Sequence, residues 1–151
     1  MALDTVDKIL DFAIRNEEHA AKFYTKLAHK TGHEHMRDVF LAFAEEEKGH
    51  RAKLLAIKGG EQMAWGPEQR VLDLKIADYL EEVDPIGELD YQKALIVAMK
   101  AEKAAFRVYE GLAAATDDAA LKATLLGLAQ EEAKHKLRFE IEYDDKFLRE
   151  L

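Results

Sequence analysis

Cysteine is absent from the 151-residue chain. That excludes disulfides, thiolate nucleophiles, iron–sulfur clusters and iron centres held by four cysteines. Proline occurs only twice, which leaves long stretches free of helix breakers. Basic residues are outnumbered, 22 against 30 acidic ones, for a formal net charge of −8. Nucleic-acid binders usually present a basic face, so this balance argues against a nucleic-acid partner. No uninterrupted run of eighteen apolar residues exists, and no membrane span is expected. The opening stretch MALDTVDKIL lacks a basic region followed by an apolar run. No secretory signal is expected from it, and the expected location is cytoplasmic.

What is present is a soluble, helix-forming composition, 48% apolar and 34% charged. A chain of this length is expected to form a single domain, residues 1–151, with a real core. Within it one chemical signature occurs twice, every element shifted by 85 residues. Glu17, Tyr24, Glu47 and His50 are answered by Glu102, Tyr109, Glu132 and His135. Flanking residues obey the same shift: Ala13 and Ala98, Leu27 and Leu112, Ala44 and Ala129, Glu46 and Glu131. A constant offset across two halves marks an internal repeat, here about 4–58 and 89–148.

Each half reads as a helical hairpin. The first helix starts at Asp4 or Thr5, either of which can cap it, and stops near Lys30 before Thr31-Gly32. The second runs from about Glu34 to Lys58 and ends at Gly59-Gly60. A third covers roughly Leu89 to Ala115. The turn Thr116-Asp117-Asp118 then offers caps for a fourth, from about Ala119 to near Leu148. Between the hairpins lies a crossover of about 30 residues, with a short amphipathic helix expected after Pro67, among Val71 to Val83. Such a crossover is long enough to travel the length of a bundle. The expected fold is all-α, a ferritin-like four-helix bundle of two hairpins related by an approximate twofold axis.

Helical spacing places the signature residues inside. Ala13, Glu17, Ala20, Tyr24 and Leu27 form one stripe, as do Phe43, Glu47, His50, Leu54 and Ile57. The second half repeats both stripes. Glu17 and Glu47 lie equally far before and after Gly32, so antiparallel helices bring them level, roughly 22 Å from the turn. Glu102 and Glu132 are spaced in the same way about Asp117. In Glu47-x-x-His50 and Glu132-x-x-His135, residues three apart point the same way and can ligate one ion or adjacent ions.

Four carboxylates in a bundle core, without counter-charge, would each cost several kcal/mol. Two divalent cations offset the four charges and use both imidazoles as neutral ligands. The donor set, rich in oxygen with one nitrogen per metal, suits iron or manganese, with zinc as an alternative occupant. Tyr24 and Tyr109 either hydrogen-bond the carboxylates and stand beside the redox chemistry, or are core aromatics with satisfied hydroxyls. Glu45, Glu46 and Glu131 neighbour the ligand candidates but are expected on a solvated helix face. His19, His29, His33 and His35 have no counterparts in the second half and are expected to be solvated. Met63 and Trp65, in the crossover, are expected to seal the bundle or a subunit contact, and a homodimer is expected.

These motifs resemble those of the rubrerythrin branch of the ferritin-like diiron proteins. Ala13-Ile14-Arg15-Asn16-Glu17 through Phe23-Tyr24, then Glu47-x-x-His50, is similar to its first half. Ala98-Met99-Lys100-Ala101-Glu102 through Tyr109, then Glu132-x-x-His135, is similar to its second. The resemblance implies that Glu47 and Glu132 bridge two iron ions, with Glu17, Glu102, His50 and His135 as terminal ligands. It also implies reduction of hydrogen peroxide or dioxygen with electrons from an external donor protein. Two departures stand out. Full-length rubrerythrins carry a four-cysteine iron domain as electron donor, and these 151 residues contain no cysteine. They typically have a further glutamate one turn after the third-helix ligand, where this chain has Ala105. The second departure keeps ferroxidase or iron-storage activity in view beside peroxide or dioxygen reduction. A non-catalytic metal-binding module is the remaining alternative.

Overall fold

The computed structural model describes residues 5–61, 71–83 and 89–148. Met63, Trp65 and Pro67, with the roles expected of them, lie outside these. Among the described residues, four helices of 25 residues each form the frame: α1 (Val6–Lys30), α2 (Glu34–Lys58), α4 (Tyr91–Ala115) and α5 (Ala119–Tyr143). The bounds of α4 and α5 are those of α1 and α2 moved by 85 residues.

Side-chain caps set where these helices begin. Thr5 accepts the Lys8 N–H at 3.1 Å, Asp90 that of Lys93 at 2.8 Å, and Asp118 that of Leu121 at 2.8 Å. At the start of α2 the imidazole of His33 takes this role, its Nδ1 accepting from Met36 at 3.3 Å. His33 and His35 are exposed, as expected, yet neither is merely solvated. His35 pairs with Glu142 at 3.3 Å, and His33 packs edge-on against Tyr91. At the far end of α2, Gly60 adopts φ 111°, a left-handed conformation suited to glycine. The α5 helix runs on into a wider π turn, Asp144–Leu148.

The short crossover helix α3 covers Ile76–Tyr79, a single turn within the longer stretch expected to be helical. Lys75 enters it at φ 58°, and the chain on either side is not helical. Polar anchors from α5 hold this strap instead of helix propensity. Gln130 accepts the Val71 N–H at 3.0 Å, and Glu140 accepts that of Ala77 at 3.0 Å. Lys136 reaches Asp73 at 2.6 Å, and Lys103 of α4 pairs with Asp78.

Two apolar clusters occupy the bundle, one towards each end. One joins Leu27 and Ala28 of α1, Met36 and Phe40 of α2, Ala94 and Leu95 of α4, and Phe139 and Tyr143 of α5. The other joins Ile9 and Leu10, Leu54 and Ile57, Ala113, and Leu121 and Leu125. The α1 end, α2 start, α4 start and α5 end therefore share one end of the molecule. Helices α2 and α4 run in the same direction, and the crossover climbs the full length of the bundle between them. This is the ferritin-like order, and the layer between the two clusters is where the paired motifs meet.

Candidate metal centre

Glu17, Glu47, Glu102, Glu132 and His135 are all at most 5% exposed, and His50 is half-buried. The structure brings all six together in two overlapping groups. Glu17, Glu47, His50 and Glu132 each offer one donor atom within 4.8 Å of the others, as do Glu47, Glu102, Glu132 and His135. Glu47 and Glu132 belong to both groups, so each stands between the two positions. In both imidazoles Nδ1 faces inward. His135 Nδ1 lies 3.1 Å from Glu47 and 3.5 Å from Glu102, and His50 Nδ1 lies 3.6 Å from Glu17 and 3.8 Å from Glu132. The two rings are nearly parallel, 12° apart, with centroids separated by 6.3 Å.

The outer ring nitrogens show what helical-wheel reasoning missed. His135 Nε2 donates to Glu46 Oε2 at 2.5 Å, and His50 Nε2 lies 3.9 Å from Glu131. Both glutamates lie outside the donor groups, and Glu46 stays exposed as expected, but Glu46 of α2 also bonds the imidazole on α5, while Glu131 of α5 stands nearest the outer nitrogen of His50 on α2 without bonding it. A carboxylate on the outer nitrogen fixes the tautomer and leaves the inner one free to ligate. A signal was available, because Glu46 and Glu131 obey the 85-residue offset. Facing considered one helix at a time placed them outside, and only the neighbouring helix supplies the imidazole that Glu46 bonds.

The tyrosines cross in the same manner on the other side of the bundle. Tyr24 of α1 donates to Glu102 of α4, and Tyr109 of α4 donates to Glu17 of α1 at 2.9 Å. Of the two roles open to them, the structure gives both tyrosines a hydrogen bond to a candidate ligand. Asn16 also donates to the Tyr109 hydroxyl at 3.2 Å, and its counterpart at position 101 is alanine.

Electrostatics explain why the arrangement calls for cations. Burial, with Glu47 close by, pushes the Glu17 carboxyl up to about 8 despite the lowering contact with His50. Burial also raises Glu132 well above the usual range, helped by Glu102, Glu47 and Glu17. For His135, burial lowers the pKa, but Glu102, Glu46 and Glu47 outweigh it and push the imidazole up to about 12. Burial raises both tyrosines, reinforced by Glu102 for Tyr24 and Glu17 for Tyr109, so each stays a hydroxyl donor. Several inward-facing atoms are buried without any hydrogen bond: both Glu47 oxygens, Glu17 Oε2, Glu102 Oε2, Glu132 Oε1 and His135 Nδ1. Buried polar atoms are normally satisfied, and orphans converging on two points fit metal ions.

An all-α ferritin-like bundle with a carboxylate–histidine cluster at mid-height defines a class, that of metal-binding proteins of the diiron type. The sequence matches the rubrerythrin family over residues 8–143, and the chain belongs to that family. A solved structure of a hypothetical protein from Pyrococcus furiosus is similar at 27% identity and a TM-score of 0.63, covering 95% of this chain and 91% of that one. Comparison with curated proteins finds no match. Among the described residues, no helix is long and apolar enough to cross a membrane.

Proposed function

We propose that the protein is a diiron oxidoreductase that reduces hydrogen peroxide or dioxygen with electrons from a separate protein. The observation that carries this reading is the sharing of Glu47 and Glu132 between two donor groups, each completed by one further glutamate and one imidazole. Glu17 and His50 would complete one metal position, Glu102 and His135 the other. Two ferrous ions, if held there, would supply the two electrons that cleavage of a peroxide bond consumes.

The chain's own residues divide the remaining work. Glu46 aims the His135 imidazole, and Tyr24 and Tyr109 hold Glu102 and Glu17 by hydrogen bonds from protonated hydroxyls. Those hydroxyls lie beside the carboxylates and can hold a proton close to the reacting oxygen. A cleft of about 310 Å³ between α1 and α4 is lined by Ala20, Ala105, Phe23, Val108, Glu102 and Glu132. The two alanines leave an opening through which a small oxidant would reach the carboxylates.

A second reading, oxidation of ferrous ions taken up as substrate, is favoured by Ala105. It leaves a symmetric set of four glutamates and two histidines. Anaerobic loading with Fe(II), followed by parallel rapid mixing with peroxide and with dioxygen, separates the possibilities. Faster oxidation by peroxide supports a peroxidase, and faster oxidation by dioxygen an oxidase. Iron uptake continuing beyond two ions per chain supports the second reading, whereas inertness to both oxidants overturns the redox proposal.

A further inference from the structure

The repeat is imperfect at one point in the interior, and the exception falls beside a ligand candidate. The Tyr24 hydroxyl donates to Glu102 of α4. Its counterpart, the Tyr109 hydroxyl, meets three groups of α1. It donates to Glu17 Oε1 at 2.9 Å, lies 3.5 Å from the Ala13 carbonyl, and accepts from Asn16 Nδ2 at 3.2 Å. Ala13 and Glu17 are matched in the second half by Ala98 and Glu102, but Asn16 is matched by Ala101. An alanine side chain has no N–H to offer, so the amide donor belongs to one half only.

A phenol has one proton to give and an oxygen that can also accept. With the Tyr109 proton committed to Glu17, only a donor can satisfy the oxygen further, and the Asn16 amide is that donor. A bond accepted by a hydroxyl strengthens the one it donates, because each polarises the next. Asn16 and Glu17 are adjacent on α1, so together they grip the Tyr109 hydroxyl from α4. Glu17 then keeps Oε1 on the tyrosine and turns Oε2, which has no hydrogen bond, to the metal positions. Glu102 divides its oxygens in the same way, but position 101 adds nothing to steady the hydroxyl that holds it. The cleft between α1 and α4 opens on this second carboxylate. Tyr24, Glu102 and Glu132 line it, and Tyr109 and Glu17 are not among its lining residues.

We infer that Asn16 is a positioning residue: through Tyr109 it fixes Glu17, so that Glu102, facing the cleft, is the terminal carboxylate that moves when substrate arrives. The inference rests on the diiron reading and gives unequal parts to two positions that the repeat alone would leave alike. A change of charge at the centre is met most readily by the carboxylate with the looser hold, and that carboxylate stands where the cleft ends.

The test titrates the metal-free full chain anaerobically with Fe(II) in a calorimeter. Tyr109→Phe should weaken binding of one ion about tenfold more than Tyr24→Phe does, within the usual range for partners behind a ligand. Asn16→Ala should by itself cost about tenfold, add nothing to Tyr109→Phe, and add its full effect to Tyr24→Phe. In the metal-free protein Asn16→Ala should also move tyrosine absorption to longer wavelength, since the phenol then only donates. That shift should vanish when Tyr109→Phe is present. Ala101→Asn offers Tyr24 the missing donor. It should slow oxidation of bound Fe(II), by whichever of peroxide and dioxygen reacts faster, about tenfold more than Ala101→Leu, which adds similar bulk without an amide. Equal costs for the two tyrosines, or an effect of Asn16→Ala that survives Tyr109→Phe, would overturn the inference. So would an unmoved tyrosine band, or equal slowing by the two changes at Ala101. Fewer than two ions bound by the unaltered chain, or inertness to both oxidants, would instead overturn the diiron redox reading and this inference with it.

Discussion

Adjacent glutamates in this chain do different work, and the difference is measurable. Glu47 is wholly buried and belongs to both donor groups, whereas Glu46 is half-exposed and acts on the outer nitrogen of His135. Replacing Glu47 with Gln keeps its size but removes a charge between the two metal positions. Loss of one bound metal ion is expected, read as stoichiometry after anaerobic loading with Fe(II). Glu46→Gln should leave two ions bound but lower their affinity about 10- to 100-fold, the usual effect of removing a partner behind a ligating histidine. Identical behaviour of the two variants would mean that Glu47 is not a ligand. Ala105→Leu probes the cleft in turn. It should slow oxidation by peroxide about tenfold, near 1.4 kcal/mol in the barrier, with metal stoichiometry unchanged. An unchanged rate would mean that the oxidant enters elsewhere.

At the scale of elements, the strap shows how a segment without strong helical character is held in place. Its backbone N–H groups find side-chain acceptors on α5, and Glu140 serves as both acceptor and counter-ion beneath it. Glu140 is fully buried, and Lys136 is the cation paired with it at 3.1 Å. Lys136→Met should therefore cost about 3 kcal/mol or more, since it leaves a buried carboxylate without a partner. Adding Glu140→Gln should recover much of that loss while keeping an acceptor for Ala77. Urea unfolding of the metal-free single and double variants measures both effects. If the double variant is no better than the single, the loss comes from the missing Asp73 contact and not from the stranded charge.

For the whole molecule, the buried cluster couples stability to pH. The Glu17 carboxyl keeps its proton up to about 8 in the fold, against 4.5 ordinarily. As pH rises through that window the unfolded chain releases this proton first, so the metal-free fold loses stability. Glu132, also raised, acts in the same direction, and His135 extends the decline from 6.5 towards about 12. The thermal midpoint of the metal-free protein is expected to fall steadily from about pH 4.5 to about pH 8. Metal reverses the preference, because it binds deprotonated ligands and only the folded state offers them together. At a free metal concentration of one hundred times Kd the gain is about 2.7 kcal/mol. Melting curves with a chelator and with anaerobic Fe(II) across that range should diverge as pH rises. A metal-free midpoint that climbs with pH would contradict the burial of these carboxylates.

Periodicity and offset already determined the four long helices, narrowed two of their caps to Asp4 or Thr5 and to Thr116-Asp117-Asp118, and gave the inward stripe that holds six ligand candidates. These are local properties, because a helix's facing follows from its own spacing. Pairing between helices is not local. That Glu46 meets His135, that Tyr24 meets Glu102 and Tyr109 meets Glu17, and that the strap anchors on α4 and α5 depended on which helices became neighbours. The crossover decided this by running the length of the bundle and setting α2 parallel to α4. Glu46, on a solvated face of its own helix, then found a partner on another, because a side chain's environment belongs to the packed pair and not to the helix that carries it.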